Sequence, residues 1–274
     1  MTSHDFSILS KHALSLESYI IERSKNSISH QFKKLLMISH WDLAELSDSS
    51  LANEWGNYAY RVGQRLIALV EQENNHPYHN KKHINQVLSA CMLLVSSTNA
   101  SNEAKKELGL LLGITMLAHD LKHDGYKNDV PVGDREKLSA FIARHVFEYE
   151  SKALAETYHE KIKIILDAIQ YTEPQVGVPL VRHLYEKNPS FEHLVGVLAT
   201  ESDILASSLP HLGVENGRLL DLEFQEAHHV LSHKIDNPEG RIHFLKQVQF
   251  ISDASINLNL QQICLMQIQK GETQ

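Results

Sequence analysis

Two short stretches concentrate side chains able to bind metal and move protons. LAHDLKHDGYKNDV, residues 117–130, sets His119, Asp120, His123, Asp124 and Asp129 directly behind an apolar run. HPYHNKKHINQVL, residues 76–88, offers His79 and His83 four positions apart. Imidazoles and carboxylates together suit divalent zinc, iron or manganese, and histidine titrates near neutrality. Metal binding is the chemistry open to such a set.

Each stretch makes a local expectation. Pro77 fits the first turn of a helix, which would put His79 and His83 on one helical face, with Ile84, Leu88 and Cys91 anchoring it. A pair at i and i+4 is by itself weakly specific and also suits a solvated helix start. LGLLLGITMLAHD, residues 108–120, stays apolar up to His119 and Asp120. A buried helix that delivers polar groups at its end must find them partners. Neighbouring helical residues point about 100° apart, so both reach one ion only if it lies off the helix end or between helices. Gly125 then lets the chain turn away.

The elements that must position these residues read as helices. Apolar residues recur every three or four positions, as in YRVGQRLIALVEQ and KIKIILDAIQ, and sustained period-two alternation is missing. The pattern predicts helices at 6–24, 28–46, 50–74, 80–97, 103–121, 134–148, 151–171, 178–187, 191–208, 216–234 and 238–269, an all-α bundle. Turn residues break it at 74–77, 96–102, 123–134, 172–179, 209–213 and 236–240. Residues 1–74 hold no comparable cluster and read as an N-terminal helical extension packed on the core, with a catalytic domain over 75–274.

Composition excludes other classes. The net charge of −8 and the lack of any long Lys/Arg block argue against nucleic-acid binding. No run reaches the roughly 18 apolar residues of a membrane span, and the N-terminus lacks a signal-peptide core. The two cysteines, Cys91 and Cys264, make no disulfide framework, so a cytoplasmic location is expected. Most of the 18 histidines are isolated on helices or, like His228, His229 and His233, read as surface.

HDLKHDGYKNDV, with His119, Asp120, His123, Gly125 and Asn128, resembles the signature of the class I cyclic-nucleotide phosphodiesterases, a branch of the HD-type metal-dependent phosphohydrolases. PYHNKKH, residues 77–83, resembles the same family's upstream segment at a similar separation. The resemblance covers roughly residues 75–255 and implies an all-α HD/phosphodiesterase-type bundle with a binuclear metal site in its core. It further implies a ligand set of His83, His119, Asp120 and Asp203, the last chosen over Asp167 and Asp253. RIHFLKQVQFISD would contribute Gln247 to bind the purine and Phe250 to clamp it, on one helical face, with Tyr78 also against substrate.

The same likeness implies a first ion that is Zn²⁺ or Fe/Mn and a second, bridged by Asp120, that is Mg²⁺ or Mn²⁺. A hydroxide between them would attack phosphorus, with His79 protonating the leaving oxygen and His123 orienting the nucleophile or a ligand. Glu136, and less well Glu148 and Glu150, are candidates to support the second ion. The expected activity is conversion of a 3′,5′-cyclic nucleotide to the nucleoside 5′-monophosphate. An HD-type phosphohydrolase acting on another nucleotide or phosphomonoester, or a non-enzymatic metal- and nucleotide-binding domain, are the alternatives. A nucleotide is the expected partner, and homo-oligomerisation stays open.

Overall fold

The computed structural model describes residues 3–47, 53–73, 76–121 and 131–272, with helices throughout and no strand among them. In chain order the helices are α1 (Ser3–Ser24), α2 (Ile28–Ile38), α3 (Leu43–Ser47), α4 (Glu54–Glu73), α5 (Lys81–Ser97), α6 (Asn102–Ala118), α7 (Asp134–Glu150) and α8 (Lys152–Thr157). They continue with α9 (His159–Tyr171), α10 (Gly177–Lys187), α11 (Phe191–Ser208), α12 (Pro210–Glu226), α13 (Pro238–Gln247), α14 (Asp253–Asn257) and α15 (Leu260–Glu272).

Three helices form the centre. α6 is buried on every side from Leu108 to Ala118, as its unbroken apolar run requires, and α5 and α11 are buried over most of their length. α5, α6 and α11 pack on one another, so their ends converge. Each start is fixed by a capping side chain: Asn80 accepts from the N–H groups of Lys82 and His83, Ser101 from Ala104, and Ser190 from His193. α1 and α2 lie on α5, and α4 lies on α6, sharing one apolar core with the central trio. The Phe32 ring of α2 fits where α4 and α6 offer no side chain. A Cβ on Gly63 or Gly113 would come within 2.6 or 2.7 Å of it.

The observed breaks have local causes. The stretch expected as one helix over 28–46 divides because His40 adopts φ +68° and Trp41 turns back to donate its indole N–H to the Lys106 carbonyl. LPHLG, expected as a turn, opens α12, since Pro210 occupies a first-turn position where its missing N–H costs nothing. That helix ends before His228, at φ +52°, rather than running to 234. The helix expected over 238–269 is broken twice. Val248 is extended, and Glu201 of α11 accepts the N–H groups of Ile251 and Ser252 and the hydroxyls of Ser252 and Ser255. A buried carboxylate thus satisfies donors that a continuous helix would have used internally. Asn259, at φ +54°, makes the second break.

Candidate functional site

His83 sits in the first turn of α5, His119 caps the end of α6, Asp120 follows it, and Asp203 projects from α11. Their functional atoms converge. His83 Nε2 lies 3.4 Å from His119 Nε2, 3.2 Å from Asp120 Oδ2 and 3.2 Å from Asp203 Oδ1. His119 Nε2 lies 3.0 Å from Asp120 Oδ2 and 3.5 Å from Asp203 Oδ1. The His119 ring is oriented from behind, its Nδ1 donating to the Met116 carbonyl at 2.9 Å, which directs Nε2 into the cluster. Of the three candidate aspartates, Asp203 is the one that lies beside the two histidines. Asp167 instead pairs with Lys163, and Asp253 accepts from Thr98 and from the Asn99 N–H.

These residues fit a divalent cation. Asp120 Oδ2 is buried and makes no hydrogen bond of acceptable geometry, although two imidazole nitrogens stand within 3.2 Å. A buried carboxylate oxygen that faces two imidazole nitrogens without a hydrogen bond to either has the placement a cation would satisfy. Burial works against charge on every member. The facing opposite charges overcome it, holding both histidines above the ordinary imidazole range and both aspartates well below the ordinary carboxylate range. Two imidazoles with two carboxylates are a set that zinc, iron or manganese accepts.

His79 is placed differently from the sequence expectation. Residues 76–80 precede α5, with Asn80 as its cap, so His79 and His83 do not share a helical face. A tight turn held by the Asn80 amide, which donates to the carbonyls of His76 and Pro77, replaces the expected first helical turn. The rings still stand close, 5.7 Å between centroids. A residue that sequence reasoning missed governs this turn. Glu223 of α12, 1% exposed, accepts from the backbone N–H groups of Tyr78 and His79, at 3.0 Å each, and from His79 Nδ1 at 2.7 Å. The Nδ1 bond to Glu223 fixes the orientation of the His79 ring. Nothing in the local sequence around Glu223 marks it, because its partner lies on a distant segment.

A cavity of about 590 Å³ opens beside His79, Tyr78 and Asp203, walled by Ile204, Leu220 and Phe244. Tyr78 OH meets Ser207 Oγ at 3.1 Å, and burial together with the Asp203 charge raises its phenol far above the usual range. Gln247 and Phe250 do not line this cavity. Gln247 ends α13, exposed beside His243, and the extended Val248 separates it from Phe250, which is buried in the apolar core. The expected shared face is lost with the break in the helix. Glu148 and Glu150 are also elsewhere, paired with Arg144 and with Arg61 and Arg65. Glu136, half-buried, has its carboxyl raised above the ordinary range by desolvation and by the negative charge of Asp120 and of Glu173. His123, Gly125 and Asn128 lie outside the described residues.

Residues 78–175 match the family of 3′5′-cyclic nucleotide phosphodiesterases, a span holding Tyr78, His79, His83, His119 and Asp120. No curated protein matches the chain. Among solved structures, the phosphodiesterase domain of the RhoPDE fusion protein from the choanoflagellate Salpingoeca rosetta is similar in fold. Its TM-score is 0.66 at 16% identity, covering 90% of this chain and 92% of that one. A second structure of the Salpingoeca rosetta rhodopsin phosphodiesterase domain gives 0.56 at 17% identity, covering 88% and 87%. LmjPDEB1 in complex with IBMX gives 0.55 at 16% identity, covering 90% and 97%. Overlaps of 88–90% of this chain include at least part of residues 1–74.

Proposed function

We propose that this chain, whose residues 78–175 match the 3′5′-cyclic nucleotide phosphodiesterase family, converts a 3′,5′-cyclic nucleotide to the nucleoside 5′-monophosphate at the cluster of His83, His119, Asp120 and Asp203. The observation that carries the proposal is the convergence of these four side chains, with Asp203 and His79 also lining a cavity of about 590 Å³. His83, His119, Asp120 and Asp203 would hold a first ion of the zinc, iron or manganese type. Asp120, with Glu136 nearby, would face a second that suits Mg²⁺ or Mn²⁺. Bound there, the ions supply positive charge for the phosphoryl oxygens and an activated water.

The protein's own groups do the rest. Glu223 fixes the His79 ring so that Nε2 can deliver a proton to the departing ribose oxygen, a role worth ~10²–10⁴ in rate. Burial of the dyad keeps bulk water from competing for that hydrogen bond. Ile204, Leu220 and Phe244 offer the base an apolar wall. α1, α2 and α4 are a structural part of the catalytic unit, since they share its core. No described helix is long and apolar enough to cross a membrane. The test is purified protein with defined metals against cyclic AMP, cyclic GMP and linear nucleotides. Release of 5′-monophosphate from a cyclic substrate supports the proposal; hydrolysis confined to linear nucleotides or phosphomonoesters overturns it.

A further inference from the structure

α12 begins without a cap of its own. Leu209 stands at the N-cap position and makes no side-chain hydrogen bond, and the first turn carries no acidic residue. Free N–H groups at a helix start need an acceptor, and an anion is favoured there. The acceptor comes from the far end of the sequence. Glu17 of α1, 3% exposed, accepts the N–H groups of His211 at 2.6 Å and Leu212 at 3.0 Å through Oε1, and His211 Nδ1 at 2.8 Å through Oε2. Glu223, three turns further along α12, makes the same pattern of contacts with Tyr78 and His79. One helix is thus held at its start by a carboxylate from α1, and near its end it holds the His79 turn by a carboxylate of its own.

The corner between α11 and α12 is gripped from the opposite side as well. Arg241 of α13 donates to the carbonyls of Ser207 and Leu209, and its guanidinium packs so closely that a Cβ on Gly213 would fall 2.4 Å from it. α11 carries Asp203 and α12 carries Glu223, so this corner sets the distance between a metal-cluster residue and the group that orients His79.

We propose that Glu17 is a positioning residue for the hydrolytic site: by fixing the start of α12 it sets the reach of Glu223, and through it the orientation of His79. His211, which Glu17 holds, and Glu223 are separated by about 18 Å of α12, and a rigid α-helix of 1.5 Å rise transmits a shift at one end as a displacement of its whole length. A displacement of about 1 Å at a reacting group can lower turnover ~10²-fold, so even partial slack is measurable. The inference gives α1, outside the segment that matches the family, a specific task. It rests on the proposed function for its kinetic arm only.

The test compares Glu17→Asp, which keeps the charge but withdraws it by one methylene, and Glu17→Ala with His211→Ala. His211 is largely exposed, and its removal leaves both N–H bonds to Glu17 intact. Two readouts apply to the full chain. The first is kcat and KM for cyclic AMP or cyclic GMP with Mg²⁺ or Mn²⁺. The second is the downfield proton resonance of His79 Nδ1–H, which reports its bond to Glu223 without any substrate. Glu17→Asp is expected to lower kcat about tenfold with KM within about twofold, and to shift or broaden the resonance, Glu17→Ala more so. His211→Ala is expected to leave both unchanged. A merely structural Glu17 would lower the melting temperature and leave kcat per folded molecule and the resonance as in the wild type. That result in Glu17→Asp overturns the proposal even if Glu17→Ala does not fold. If no cyclic nucleotide is hydrolysed at all, the resonance alone decides, which separates failure of this inference from failure of the proposed activity.

Discussion

Replacing Glu223 by glutamine isolates the proton-donor half of the site. The amide oxygen can still accept the Tyr78 and His79 N–H groups, so the turn at 76–80 keeps its anchor, but the amide cannot reproduce a carboxylate acceptor for His79 Nδ1–H. A hydrogen bond to a charged group contributes ~1.5–3 kcal/mol, which at about 1.4 kcal/mol per decade is a loss of roughly 10- to 150-fold. The loss cannot exceed the ~10²–10⁴ that a general acid contributes. The assay compares two substrates. A cyclic nucleotide must protonate an alkoxide leaving group, whereas an aryl phosphodiester with a nitrophenolate leaving group needs no proton. Glu223→Gln should lose the stated factor on the first and far less on the second, with metal content unchanged. Equal losses on both esters, or full activity on the cyclic nucleotide, would refute the assignment of Glu223 and His79 to proton delivery.

Three further outcomes follow from the same coordinates. Asp120→Ala should lose bound metal together with turnover, whereas His79→Ala should keep the metal and lose turnover, as elemental analysis and kinetics of the purified variants would reveal. Phe32→Ala should lower unfolding stability by about 3–5 kcal/mol in one cooperative denaturant transition monitored by circular dichroism. The ring is fully buried against Gly63 and Gly113, and two separate transitions would show that α2 and α6 do not unfold together. Burial pushes the thiols of Cys91 and Cys264 up to about 12, so at pH 8 the reactive thiolate is scarce. A chromogenic disulfide reagent should titrate neither cysteine in the native protein and both in denaturant.

What the sequence made legible was local or periodic. The apolar run of residues 108–118 announced a buried helix, and His119 with Asp120 at its end announced polar groups in need of partners. Asp203 could be matched to them only through the family's pattern, and the structure brings it to 3.2 Å from His83. Contacts between distant segments were not legible. Glu223, Glu201 and Glu17 look like ordinary helical glutamates in the chain, yet each is buried and satisfies donors more than fifty positions away or close to it. The failure over residues 238–269 has this origin. The periodicity allowed one helix, but Glu201 offered Ile251 and Ser252 a better acceptor than the helix could, and Gln247 was separated from Phe250. His79 moved off the helix for a similar reason, since Asn80 is a better cap than His79 and Glu223 takes up the turn in front of it.

The most direct measurement is ³¹P NMR of a cyclic nucleotide incubated with the metal-loaded protein in ¹⁸O-enriched water. Attack of water on phosphorus with departure of the 3′ oxygen should give the nucleoside 5′-monophosphate as product, with one ¹⁸O on phosphorus. A 3′-monophosphate, label confined to the ribose, or unchanged substrate with every metal tried would contradict the proposed reaction.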